Sequence, residues 1–310
     1  MILNLVVPHT AGDPMHASKW LNCHLVDIQQ RLADHGHRVS TPVISRILRA
    51  HGYSLRANVK QNAGNAHPDR DQQFQYMRQQ RAQHHDQAHP VISVDTKKKE
   101  LIGQFKNAGR IWCQEAEIVN VHDFRHDAVG RAVPYGIYDL RHNCGTVYVG
   151  TSADTPAFAV DNLAHWCATE LRERYPRATR LLIEADSGGS NSARSRCWKY
   201  HLQGKIADVF GLRITVCHYP TGTSKWNPIE HRLFSEISKT WAGCPLVSFE
   251  TMLHYIRTTT TQTGLQVQAH LMTTSYQTGE KISDAQMTTL NITYHDVCPQ
   301  WNYTLHPREH

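Results

Sequence analysis

The stretch that most constrains this chain is Arg180-Leu-Leu-Ile-Glu-Ala185, a nearly unbroken apolar run of strand length that ends in Asp186-Ser-Gly-Gly189. A strand that is apolar on both faces needs cover on both faces, so the run predicts a central position in a sheet with helices above and below. Its surroundings agree. Val91–Thr96 reads as a short strand, as do residues 135–140, 145–151 and 213–219. Thr155 and Pro156 open a long amphipathic helix to about Tyr175, residues 195–210 form another, and a third runs from Asn227 to about Trp241. Strands first, then strands alternating with helices, predict an α/β protein with a mixed sheet flanked by helices.

The N-terminal part follows a different period. Leu21, Leu25, Ile28 and Leu32 recur at helical spacing over residues 17–35, and Gly36 stops the run. Thr41 then caps a second helix with Pro42 at its first position, an apolar face of Val43, Ile44, Ile47 and Leu48, and Gly52 at its end. Arg46 and Arg49 fall on other faces. Two helices around a tight turn, the second bearing exposed arginines, satisfy a helix-turn-helix; a hairpin that merely packs satisfies the same pattern. Residues 1–66 are therefore read as a helix-turn-helix-like region and the Gln- and His-rich residues 67–90 as a polar linker helix closed by Pro90. A catalytic-type α/β domain spans 91–257. Residues 258–310 form a C-terminal extension, whose Thr- and Gln-rich start gives no clear period.

Composition narrows the function classes. No apolar run is long enough to span a bilayer, which predicts a soluble, intracellular protein with no membrane partner. The net charge is +6, and the first ninety residues hold ten Lys and Arg against six Asp and Glu, a modest pointer to a polyanion. Eight scattered cysteines without a Cys-x-x-Cys pair predict reduced thiols, and the 22 histidines form no zinc-type spacing.

Three acids stand where an α/β sheet gathers its chemistry. Asp95 follows a strand, and Asp186 follows the central strand and precedes two glycines that let the backbone come close to a phosphate or metal. Glu230 sits in Asn227-Pro-Ile-Glu230, where Asn227 as N-cap and Glu230 at the third helical position also complete an ordinary capping box. Singly, each acid is as well read as a cap or turn residue. Together they form an all-oxygen donor set of the kind that suits hard divalent cations, two of which can activate a nucleophile and stabilise a leaving oxygen across one phosphorus.

The motifs around these acids resemble a family. Val91-Ile-Ser-Val-Asp-Thr-Lys-Lys-Lys-Glu100, Leu182-Ile-Glu-Ala-Asp-Ser-Gly-Gly-Ser-Asn191 and Gly222-Thr-Ser-Lys-Trp-Asn-Pro-Ile-Glu-His-Arg-Leu-Phe234 look like the three acidic motifs of the Rhodopirellula-type DDE transposases, in the ISAzo group of bacterial insertion sequences. The Asn-Pro-Ile-Glu box is also similar to the third motif of mariner-like transposases. With Gly12-Asp-Pro-Met15, His67-Pro-Asp-Arg-Asp71 and Trp301-Asn-Tyr303, the resemblance covers roughly residues 12–308. It implies a ribonuclease-H-like fold with Asp95, Asp186 and Glu230 as catalytic and metal-binding residues. Two Mg²⁺ (or Mn²⁺) ions would serve cleavage at transposon ends and strand transfer to target DNA. Lys97, Lys98, Lys99 and Lys225 beside the acids, with Arg46 and Arg49, would contact DNA, and Asn191 would help to position a metal-bound group. A homo-oligomer in the bacterial cytoplasm, at the nucleoid, is implied too, because two DNA ends must be processed together. Residues 1–10 do not resemble the longer N-terminal region usual in the family, so a truncated copy or a late start is expected. The alternatives are a decayed or domesticated copy that binds DNA without transposing it, and a plain nuclease on the same fold.

Overall fold

The computed structural model describes residues 10–12, 19–21, 24–53, 67–110, 118–120 and 125–309, together with Ile2 and Glu115. The chain divides into two compact units, residues 1–65 and 66–310. In the first, short strands β1 (Thr10–Gly12) and β2 (Lys19–Leu21) pair antiparallel. Helix α1 (Leu25–Asp34) is shorter than the 17–35 expected. Asp27 and Ile28 donate their amides to the His24 carbonyl, and Asp27 accepts the His24 amide at 2.9 Å, so the helix starts there, while Leu21 belongs to β2. Helix α2 (Thr41–Ala50) begins one residue earlier than expected, with Ser40 at the cap position. The two helices pack through Ile28, Leu32, Ile44 and Leu48, leaving Arg46 and Arg49 exposed.

The second unit is built on a nine-stranded sheet. It opens with α3 (Arg70–Asp86), followed by β3 (Val91–Thr96), β4 (Glu100–Ile102), β5 (Gly130–Asp139) and β6 (Cys144–Gly150). Helix α4 covers residues 156–174, bent through a π turn at Cys167–Leu171. Strand β7 (Arg180–Ala185), helix α5 over residues 196–210, strand β8 (Arg213–His218) and helix α6 over residues 228–240 follow. The chain continues through α7 (Phe249–Arg257), β9 (Gln266–Met272), α8 (Asp284–Thr288), β10 (Ile292–Tyr294) and β11 (Asn302–Leu305). The strand order is β10-β11-β8-β7-β3-β5-β6-β9, with β4 added beside β5. Strands β3, β7 and β8 run parallel, and β5 and β6 turn back antiparallel beside β3. This is the ribonuclease-H-like arrangement.

Both faces of the sheet are covered, as the apolar run at 180–185 requires. Helices α4 and α5 bury Leu163, Trp166, Trp198 and Leu202 against Val94, Ile137, Ile183 and Val216. Thr155 caps α4 by accepting the Phe158 amide at 3.2 Å, with Pro156 at its first position as expected. On the other face, α6 and α7 bury Ile229, Leu233, Ile237, Met252 and Ile256 against Tyr138, Val147 and Val149. Helix α6 lies flush on the sheet because two glycines face it. A Cβ on Gly136 would stand 2.5 Å from Phe234, and one on Gly145 would overlap Leu233.

Helix α3 departs from the linker reading, because it packs on the sheet beside β7 and β8. Met77 joins a cluster with Val91, Leu182 and Tyr219, and Gln73 is fully buried. Arg81 forks onto the buried Glu184 of β7 through Nε at 2.8 Å and Nη2 at 2.6 Å. Residues beyond 257 also join the sheet. Strand β9 extends one edge parallel to β6, and β11 extends the other antiparallel to β8. The six cysteines among the described residues are free thiols, and no described helix is long and apolar enough to cross a membrane.

Candidate active site

Parallel strands β3 and β7 deliver their acids to the same sheet edge. Asp95 is the penultimate residue of β3, and Asp186 follows β7 directly. Glu230 arrives from the opposite face of the sheet, at the head of α6, where the π turn Glu230–Phe234 begins. Such turns recur at functional sites because the extra residue re-aims the side chains around it.

The three carboxylates sense one another. Burial, then the charges of Asp186 and Glu230 and a hydrogen bond with Glu230, push the Asp95 carboxyl up to about 8, against the pull of the Thr96 amide on Oδ1 at 2.7 Å. Asp186 is raised by burial and by Glu230, while its bond from Asn227 acts the other way. Burial and the like charges beside it favour the protonated form of Asp95, which therefore holds its proton near neutral pH. Among the described residues no group of three His, Cys, Asp or Glu side chains stands ready to hold a metal ion. The donor set nonetheless fits a hard cation: it is all oxygen and half-buried.

Asn227 ties this arrangement together. Rather than serving only as a helix cap, its buried side chain donates to Asp186 Oδ1 at 3.3 Å and accepts from the Ser93 hydroxyl. Ser93 Oγ in turn accepts the Ile229 amide at 3.2 Å, which locks β3, Asp186 and the start of α6 to one another. Behind Asp186, the buried ring of His218 bonds the Asp186 carbonyl through Nδ1 at 2.9 Å. Burial holds that imidazole down at about 4, so it is neutral at pH 7 and donates through Nδ1.

In front of the acids opens a cleft of about 1010 Å³, lined by Asp95, Lys98, Lys99, Asp154, Asp186 and Gly189, among others. Gly188 and Gly189 have nothing within 4 Å of where a Cβ would stand, so they leave the cleft floor open. Lys98 is exposed there, and Lys99 is half-buried with its ammonium 3.5 Å from Asp154. Lys97 also borders the cleft but is held inward: it bonds Glu100 at 2.7 Å and lies 4.7 Å over the Trp241 ring. Lys225 stands apart from the lining, exposed, 5.6 Å over the half-exposed ring of Trp226. Arg46 and Arg49 belong to the other unit. Asn191 is buried and accepts the Tyr135 hydroxyl at 3.0 Å. Asp154, which also accepts from Thr96 Oγ1 at 3.2 Å, was not singled out in the sequence, since a lone Asp before a helix carries no signal of its own.

The sequence profile described as Rhodopirellula transposase DDE domain matches residues 1–307, the first ten included. No curated protein matches the chain. Among solved structures, the Mos1 transposase paired-end complex with left transposon end is similar at 12% identity and a TM-score of 0.46, covering 79% of this chain and 73% of that one. The Mos1 mariner paired-end complex with Mn has a TM-score of 0.47 at the same identity and coverage.

Proposed function

Because this chain belongs to the Rhodopirellula-type DDE transposase family, we propose that it cuts DNA at transposon ends and joins the freed ends to target DNA, with Asp95, Asp186 and Glu230 as the catalytic triad. The observation that carries the reading is the convergence of these three acids, from two parallel strands and a helix on the opposite face, close enough that Asp186 and Glu230 both raise the buried Asp95 carboxyl. Bound at the three carboxylates, Mg²⁺ or Mn²⁺, two ions by the family reading, would activate a nucleophile on one side of phosphorus and stabilise the leaving oxygen on the other.

The chain's own residues set up that chemistry. The network of Asn227, Ser93 and His218 fixes where Asp186 and the head of α6 stand, so the donor set is arranged before substrate arrives. Lys98 and Lys99 line the cleft and hold backbone phosphates, with Asp154 keeping the Lys99 ammonium at the wall. Lys225 and the exposed Trp226 ring extend a cationic and aromatic rim toward the strand being cut. The exposed Arg46 and Arg49 of α2 supply a separate DNA contact, and the active complex is a homo-oligomer that brings two ends together.

The test is cleavage and strand transfer on a labelled duplex carrying the DNA that flanks this gene, with Mg²⁺ or Mn²⁺, for the wild type and Asp186→Asn. Metal-dependent 3′-OH ends and joined products are expected from the wild type. The variant should lose both while binding DNA as before, because Asp186 is a metal ligand and not a phosphate contact. Binding without cleavage in either metal, or cleavage that survives the substitution, would overturn the reading.

A further inference from the structure

The amino ends of the parallel strands carry a second polar site. Arg180 opens β7 and Arg213 opens β8, and the two are register partners on adjacent strands. Neighbouring strands lie about 4.8 Å apart, and in-register residues of a parallel pair project to the same face. Like charges directly opposite on a sheet are unfavourable. Both arginines line a groove of about 280 Å³, with His84 of α3, Tyr76, His295 and His306, and no carboxylate lines it. Arg180 makes one neutral bond, to Gln87 Oε1 at 3.2 Å.

His84 supplies an independent observation. Its side chain is buried, with only 6% of the residue exposed, and Nδ1 bonds the Gln80 carbonyl at 2.8 Å. Its Nε2 is buried with no partner. Burial lowers its pKa, as do the charges of His89, Arg180 and His85. Arg213 lowers His306 in the same way, and His295 has Asp296 nearby as an acid acting in the other direction. A buried imidazole nitrogen beside an unneutralised arginine pair lacks one thing, an acceptor-rich anion.

We propose that this groove is a phosphate-binding site, in which Arg180, Arg213 and a protonated His84 Nε2 donate to the oxygens of one phosphate group. Two planar guanidinium forks with an imidazole donor match a tetrahedral oxyanion that presents several acceptors. The site lies at the opposite end of β7 from Asp186, about 20 Å away at the rise of a strand, so it does not serve the phosphate being cut. The phosphate comes either from the backbone of a second DNA segment or from solution. In both cases binding takes up a proton at His84.

Two measurements on the full chain, in EDTA so that no cleavage intervenes, test this. In the first, inorganic phosphate is titrated while the His84 ring protons are followed by NMR. Saturable shifts and an upward move of the His84 titration midpoint are expected, with chloride at equal ionic strength giving neither. In the second, anisotropy of a labelled duplex of unrelated sequence is measured against KCl for the wild type and for Arg180→Gln/Arg213→Gln. If the source is DNA backbone, the slope of log K against log salt falls by about 0.9, the loss of one phosphate contact. A phosphate response with an unchanged duplex slope assigns the site to free phosphate. Absence of both responses overturns the proposal. The phosphate titration uses the wild type and stands even if the double variant misfolds, and neither result depends on the acids of the catalytic cleft.

Discussion

Removing one charge from the acidic cluster should stabilise the metal-free protein in a pH-dependent way. Asp95 has its carboxyl raised from 3.8 to about 8, so the folded state holds that proton more tightly than the unfolded chain does. The sign follows. Below pH 4 the group is protonated in both states and contributes nothing. Between about pH 4 and 8 the unfolded chain has released the proton and the folded one has not, so stability falls by about 1.4 kcal/mol per unit. At pH 7 the cluster would cost the fold about 4 kcal/mol. Asp95→Asn leaves Asp186 and Glu230 facing each other, so about half of that, ~2 kcal/mol, should return. For a unit of this size that is a rise in Tm of roughly 4–8 °C. The Asn side chain keeps an oxygen for the Thr96 amide, so the local turn survives. The assay is thermal melting by circular dichroism in EDTA at pH 7.5 and pH 4. The variant should melt higher at pH 7.5, with the gap closing at pH 4, and added Mg²⁺ should raise the Tm of the wild type alone. An equal gain at both pH values, or none at pH 7.5, would refute the account of a buried carboxyl further crowded by like charge.

Three other substitutions probe how the site is held. Asn227→Leu removes the donor to Asp186 and the acceptor of the buried Ser93 hydroxyl; it should cost about 2–4 kcal/mol in denaturant melts and raise the Mn²⁺ concentration needed for cleavage. Arg81→Met strands the buried Glu184 carboxylate, though the Tyr219 hydroxyl still donates to it at 2.8 Å. Since the arginine is one-third exposed, the loss should be near 3 kcal/mol, and Arg81→Met/Glu184→Leu should recover most of it in urea titrations. Gly136→Ala drives a methyl into Phe234, and should lose about 1–3 kcal/mol while slowing cleavage more than DNA binding, because the helix displaced is the one that carries Glu230.

The sheet's centre was legible because its signals are local. An unbroken apolar strand, Thr155-Pro156 at a helix start and acids directly after strands can each be read from a few neighbouring residues. The edges were not. Residues 266–272 do alternate polar and apolar, but the Thr- and Gln-rich residues before them hide that period, and the pairing that makes them a strand is with the edge of β6 in the assembled sheet. Helix α3 looked like a linker because its charged and amide side chains read as solvent-facing. One clue was present in Glu184, an acid inside an apolar strand that must meet a cation, and Arg81 is that cation. The expected role of Glu230 in a capping box was local physics too. What brings it to Asp95 is contact across the sheet, through glycines at 136 and 145 that no short-range pattern explains.

The strand at residues 302–305 has a consequence for timing. His218, which braces Asp186, receives its own cover from that strand: its amide donates to the Trp301 carbonyl at 3.0 Å, and its ring lies against Tyr303. On the ribosome, β8 is made well before β11, and at roughly 5–20 residues per second the interval is on the order of ten seconds. During that time β8 is an open edge, and His218, the brace of Asp186, lacks its cover. The brace of the acidic cleft is therefore secured only once residues 301–305 are in place.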